Sequence, residues 1–269
     1  MNVDALTVPV SSMICMVLAA LFCIAAPILI LLMWKKKYPD ADIRHALIGA
    51  AGFFIFALVL EQLLHLVMLP LVMNSVVLYV IYGTLAAGVF EETARFITYK
   101  LILKKTTAKG NPADAITVGI GHGGFEAMVV VPMMMVSSFV LAVLMNTGNT
   151  AMLFEGMSEV EIALGEQQLQ TVAANGVGYY MMACVERLMA MTVHICWSVC
   201  VFAAAAERKL WWLYPASILM HAFLDTPVAL FQKNVLSMPV MYLCLLVPMA
   251  IAVGAAVVVY RQMAKRYQQ

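Results

Sequence analysis

The chain has 269 residues, of which 64% are hydrophobic and only 12% charged, with a mean hydropathy of +0.93. Soluble domains are about 45–50% apolar, so this composition excludes an ordinary soluble globular protein and points to an integral membrane protein. A formal net charge of +1 leaves no basic patch, so nucleic acid is not expected as a partner.

A helix that crosses a bilayer takes about 20 apolar residues, and seven such segments follow one another. The first spans about residues 9–34. Its basic cluster, Lys35 to Lys37, comes after the apolar run, so the segment reads as a retained helix rather than a signal peptide. The second, about 46–69, carries Glu61 and His65 one turn apart near its outer end, where helix packing or a gate is the preferred reading. The third, about 76–103, holds Glu91, Glu92 and Arg95. The fourth, about 113–145, holds His122 and Glu126. Gly119, Gly121, Gly123 and Gly124 surround His122, a run that suggests close helix approach or a local break. Glu186, Arg187 and His194 lie in the fifth, about 177–206, and His221 and Asp225 in the sixth, about 210–231. The seventh, about 238–261, has no charge before Arg261. The expectation is an all-α, polytopic, multi-pass protein of the cell membrane, forming a single transmembrane domain over 1–269.

The basic residues give an orientation. Lys35, Lys36, Lys37 and Arg44 follow the first segment, Lys100, Lys104, Lys105 and Lys109 the third, Arg208 and Lys209 the fifth, and Arg261, Lys265 and Arg266 the last. With seven crossings all four clusters share one side, which the positive-inside rule makes cytoplasmic. The N-terminus is then outside and the C-terminus inside. A loop with Glu155, Glu159, Glu161 and Glu166 falls on the outer side, with Lys233.

An ionisable group in hydrocarbon costs roughly 2.5 kcal/mol or more and persists where it pairs, faces a wet cavity or does chemistry. Four helices repeat that cost here. At about 1.5 Å per residue, Glu91, Glu92, His194 and His221 each lie about 18–20 Å from the cytoplasmic helix ends, and His122 and Glu126 about 16–22 Å. One shared polar layer explains that match, whereas polar groups satisfied separately need not agree in depth. Spacing agrees: His122 with Glu126 and His221 with Asp225 are i,i+4 pairs, and Arg95 lies one turn below Glu91 and Glu92, placed to neutralise one carboxylate. Glu186 falls nearer the outer surface. Cys196 and Cys200 share a face but read as small buried hydrophobes, and the 22 methionines as adaptable packing.

Carboxylates and imidazoles gathered from several helices suit a divalent metal. Zinc takes such ligands, leaves a position for water and lowers the pKa of that water to about 7. A nearby glutamate can then take the proton while another donor stabilises the oxyanion. No HExxH is present, so the ligands have to assemble across helices. Hydrolysis of an amide within or near the bilayer is the reaction such a site supports.

Glu91-Glu92-Thr93-Ala94-Arg95 resembles the paired-glutamate motif of the CAAX-type and bacteriocin-processing membrane proteases. Gly124-Phe125-Glu126, the stretch from Glu186-Arg187 to His194, and His221 with Asp225 resemble the YhfC and PrsW branches of that superfamily, and the YhfC intramembrane metalloproteases most of all. The likeness runs over about residues 80–230 with four motifs in order, and it implies an active-site core there. It implies that Glu91 or Glu92 activates water, with Arg95 and Glu126 beside them in the catalytic set. It implies that His194 and His221 bind metal or stabilise the oxyanion; His122 and Asp225 join them as expected ligands, and zinc is the metal the donor types suit. The implied substrate is a membrane protein or peptide. Asp225 stands where the CAAX-type pattern commonly has asparagine, and the glutamate-to-arginine spacing is one residue shorter than in many such members. The same superfamily pattern is similar to that of a scaffold subunit of gamma-secretase. A metal-free, glutamic-type protease, a non-catalytic scaffold and a proton-coupled transporter are the alternatives.

Overall fold

A computed structural model of the protein describes residues 6–105 and 110–267; Lys109, counted above among the inner-side cations, lies outside the described residues. All regular structure among the described residues is helical. In chain order the helices are α1 (Val10–Lys37), α2 (Arg44–Val72), α3 (Val76–Lys105), α4 (Pro112–Asn146), α5 (Glu159–Ala174), α6 (Val177–Ala206), α7 (Leu213–Gln232) and α8 (Met238–Tyr267). Within α2, residues Phe54–Glu61 adopt π-helical geometry. Six helices, α1 to α4, α6 and α8, are long and apolar enough to cross a membrane.

Two differences from the expected order have physical causes. The sixth expected span is α7, whose 20 residues include Pro215, His221, Asp225 and Pro227 and so fall short of the apolarity of the other six. Its length, about 30 Å, still matches a bilayer core. It runs antiparallel to α3, tied at both ends. Tyr214 OH meets Thr93 Oγ1 at 2.7 Å and stacks on Phe96, while Tyr79 OH donates to Gln232 Oε1 at 2.9 Å. The second difference is α5, a helix inside the acidic loop. Its start is a capping box in which Ser158 and Glu161 satisfy each other's backbone N–H groups. Those hydrogen bonds from Ser158 hold the Glu161 carboxyl below the usual carboxylate range.

The chain forms two compact units, Met1–Ile28 with Ala127–Met189, and Leu29–Glu126 with Ala190–Gln269. The first has its own apolar core, in which Met16, Ala19 and Cys23 of α1 meet Val131, Met135 and Ala142 of α4 and Tyr180 of α6. Glu186 and Arg187 belong to this unit and pair at 2.6 Å.

The second unit holds every candidate catalytic and metal residue. Small residues let its helices meet at backbone distance. A Cβ on Gly121 would collide with the Ala46 backbone of α2, and one on Gly123 would stand 2.7 Å from His194 Cβ of α6. The glycine run around His122 therefore serves close approach, and α4 passes through it unbroken. α6 is the most enclosed of the candidate spans: 72% of its most apolar stretch is buried, against 17–33% in the others. At one end of this unit Lys100 Nζ donates to the Ala205 carbonyl at 2.7 Å, and Arg266 pairs with Glu207. The carboxyl ends of α3, α6 and α8 thus lie together.

Candidate metal centre and active site

Helical periodicity places the site residues on facing surfaces. Glu91, Glu92 and Arg95 lie on one wall of α3, His122 and Glu126 on α4, His194 on α6, and His221 and Asp225 on α7. All eight come together. Glu91, Glu92, Arg95, His122, His194 and His221 are buried, and Arg95 and Glu92 are 0% exposed. Asp225 and Glu126 keep 31% and 17% of their side chains accessible, so they mark the open rim.

Two linked clusters make up the centre. In the first, Glu91 Oε2 lies 3.1 Å from His122 Nε2 and 3.5 Å from His194 Nδ1, while His194 Nε2 meets Glu126 Oε2 at 2.6 Å. In the second, His221 bridges two carboxylates, with Nδ1 2.7 Å from Glu92 Oε1 and Nε2 3.3 Å from Asp225 Oδ2. The clusters touch where His221 Nε2 stands 3.9 Å from Glu91 Oε1. Arg95 joins them, pairing with Glu92, with Glu91 at 3.2 Å and with His194 Nδ1. The guanidinium was expected to neutralise one carboxylate; it reaches both, because Glu91 and Glu92 are adjacent and Arg95 is both i+3 and i+4. Charges this deep persist only as a mutually satisfied set.

Glu91, His122 and His194 form a group that can hold a metal ion, with one ligand atom from each and all three atoms within 4.8 Å of one another. Tetrahedral coordination at about 2.0–2.1 Å sets neighbouring ligand atoms about 3.4 Å apart, and the 3.1 and 3.5 Å separations bracket that value. The nitrogen and oxygen donor set suits a borderline divalent cation. Arg95 Nη2 reaches both Glu91 Oε2 and His194 Nδ1, so a positive group already stands beside two of the three ligand atoms. His221 lies between two carboxylates, 2.7 Å from Glu92 Oε1 and 3.3 Å from Asp225 Oδ2, and Glu91 is the carboxylate of the group that can hold a metal.

One contributor escaped the sequence reading. Trp197 stacks on His221 with centroids 4.3 Å apart and planes 9° from parallel, and its ring is edge-on to His194. Its place one turn after His194 was a usable signal, masked by the apolar character of indole. Glu61, placed by the sequence at packing or a gate, is buried and within electrostatic reach of Glu91, His221 and Asp225. Cys196 and Cys200 are buried free thiols, as small hydrophobes would be.

A family model described as YhfC intramembrane metalloprotease matches residues 22–246. The chain is also 32% identical over 215 residues to a protein of Bacillus subtilis (strain 168) named uncharacterized membrane protein YhfC, covering 77% of this chain and 80% of that one. No solved structure matches.

Proposed function

The chain belongs to the YhfC intramembrane metalloprotease family, and on that premise we propose that it hydrolyses a peptide bond in a membrane-embedded or membrane-proximal substrate. The observation that carries the reading is the buried Glu91, His122 and His194 group, whose ligand atoms lie within 4.8 Å of one another. We assign zinc to it, on the donor types and spacing. Lewis acidity at that point, polarising a peptide carbonyl and acidifying water, is the chemistry that a zinc ion supplies.

The chain's own residues do the rest. Glu126 Oε2 stands 2.6 Å from His194 Nε2 and is placed to orient the ring of a ligand, a role outer carboxylates commonly play at metal centres. Arg95 balances Glu91 and Glu92 and keeps both ionised out of water. The Glu92–His221–Asp225 chain moves the proton. As water oxygen bonds to the carbonyl carbon, a water proton passes to this chain at His221 Nε2, the nitrogen nearest Glu91. When the C–N bond breaks, the same nitrogen returns the proton to the leaving amine. Asp225 at the rim and Glu92 behind hold the imidazole between two acceptors, which stabilises its charged form at the moment of transfer.

The test is cleavage of a membrane-spanning reporter peptide by protein reconstituted in bilayers, with metal measured on the same sample. Glu91→Ala and His194→Ala should abolish both cleavage and bound zinc. Intact cleavage in both would sink the assignment.

A further inference from the structure

Helix α2 adopts π geometry over eight residues that end on Glu61. Such stretches are rare and recur at functional sites. Glu61 is only 6% exposed, and Gln62 Nε2 covers the Ala57 carbonyl inside the widened turn at 3.3 Å. On one side, Glu61 Oε1 is 3.4 Å from His65 Nε2, and His65 Nδ1 is 2.7 Å from the Tyr82 hydroxyl. On the other, Glu61 is within electrostatic reach of Glu91, His221 and Asp225. The catalytic reading uses neither Glu61, His65 nor Tyr82.

These groups descend in steps. Counted along the helix axes from the 73–75 turn, Tyr82 and His65 lie about 9–10 Å deep, Glu61 about 16 Å and Glu91 about 22 Å. His65 is only partly buried and borders a surface groove of about 370 Å³ that is otherwise lined by Gln62 and apolar residues such as Leu63 and Leu66, so its ring is reachable from outside α2. Each peptide bond cleaved consumes one water, its hydroxyl going to the carbonyl carbon and its proton to the amine nitrogen. A centre set among apolar helices has to receive that water, and water in a protein interior needs about 2–4 polar partners at each stop.

We infer that Glu61, His65 and Tyr82 form the polar route by which water reaches the buried centre from the side of the 73–75 turn. The inference rests on the hydrolytic reading of that centre. Glu61 is the positioning residue between the His65–Tyr82 pair, 3.4 Å from His65 Nε2, and the Glu91, His221 and Asp225 groups it interacts with electrostatically.

Radiolytic hydroxyl-radical labelling of the full chain in bilayers, read by mass spectrometry, follows bound water without requiring turnover. Wild type should label at Tyr82 and His65 and at the enclosed Trp197 and His221. Glu61→Leu should lower labelling of Trp197 and His221 by about fivefold or more while Tyr82 still labels, and Glu61→Gln, which keeps hydrogen-bonding groups, should stay within about twofold of wild type. His65→Leu, at a partly exposed position, should give the same loss at the centre and guards against misfolding of the Glu61 variants. Unchanged labelling of Trp197 and His221 in both leucine variants would overturn the route. A wild-type protein that cleaves no peptide yet shows these labelling losses would retire the protease reading and retain the route.

Discussion

The indole of Trp197 lies flat against the imidazole of His221, with ring centroids 4.3 Å apart and planes inclined by 9°. That stack fixes the plane in which Nδ1 meets Glu92 and Nε2 meets Asp225, so an apolar residue of α6 controls the aim of a histidine on α7. Trp197→Ala should lower kcat by about 10- to 100-fold at unchanged metal content. Trp197→Phe keeps an aromatic face and should stay within about threefold of wild type. Steady-state cleavage with parallel zinc analysis checks both, and a matching loss in Phe and Ala variants would deny the stack its role.

Metal content separates the ligands from the proton chain. Purified wild type should hold one zinc, and Glu91→Ala, His122→Ala and His194→Ala should lose it. His221→Ala should keep zinc and lose about 10²–10⁴-fold in rate, the range for a missing acid–base group. Zinc lost from His221→Ala as well would return His221 to the ligand set.

The constellation was legible in the sequence because hydrocarbon makes each buried charge conspicuous and helix geometry converts residue number into depth. That count placed Glu91, Glu92, His194 and His221 at one level, and their contacts now join α3, α6 and α7 there. The partner of each histidine was not legible. It depends on which ring nitrogen faces which carboxylate, and i,i+4 spacing cannot distinguish His194, aimed at Glu91 and Glu126, from His221, aimed at Glu92 and Asp225. The burial of Glu61 was not legible either, because depth along α2 does not say which face of the helix is covered. The α5 helix hid in a polar loop because its signal is a cap, Ser158 with Glu161, rather than an apolar run.

Arg95 offers a thermodynamic test. Removing the guanidinium leaves Glu91 and Glu92 adjacent, ionised and out of water, so Arg95→Leu should destabilise the metal-free protein by about 3–5 kcal/mol. A divalent ion would restore part of the lost positive charge at Glu91. Thermal unfolding with chelator and then with zinc should therefore show a larger zinc-induced rise in Tm for Arg95→Leu than for wild type.

Close helix contact can be tested with one methyl group. Gly121→Ala drives a Cβ into the Ala46 backbone, where nothing can yield, and should cost about 1–3 kcal/mol. At Gly83 of α3 nothing lies within 4 Å of an added Cβ, so Gly83→Ala should be neutral or stabilising by up to about 1 kcal/mol through helix propensity. Unfolding in detergent, compared between the two variants, reads the difference.

Topology follows from parity and can be tested with reporters. Arg266 at the end of α8 pairs with Glu207 at the end of α6, and Lys100 near the end of α3 caps Ala205, so these carboxyl ends share one face. The chain leaves α6 at that face and α8 returns to it, which requires α7 to run to the opposite face. Its ties to α3 from Tyr214 to Gln232 do so. Were α7 not to cross, Arg261, Lys265 and Arg266 would emerge on the side opposite Arg208 and Lys209, against the positive-inside rule. A reporter active only in the cytoplasm should therefore work when fused after Gln269 and fail when inserted at Lys233. Equal activity at both positions would place both ends of α8 on one side and overturn the seven-crossing arrangement.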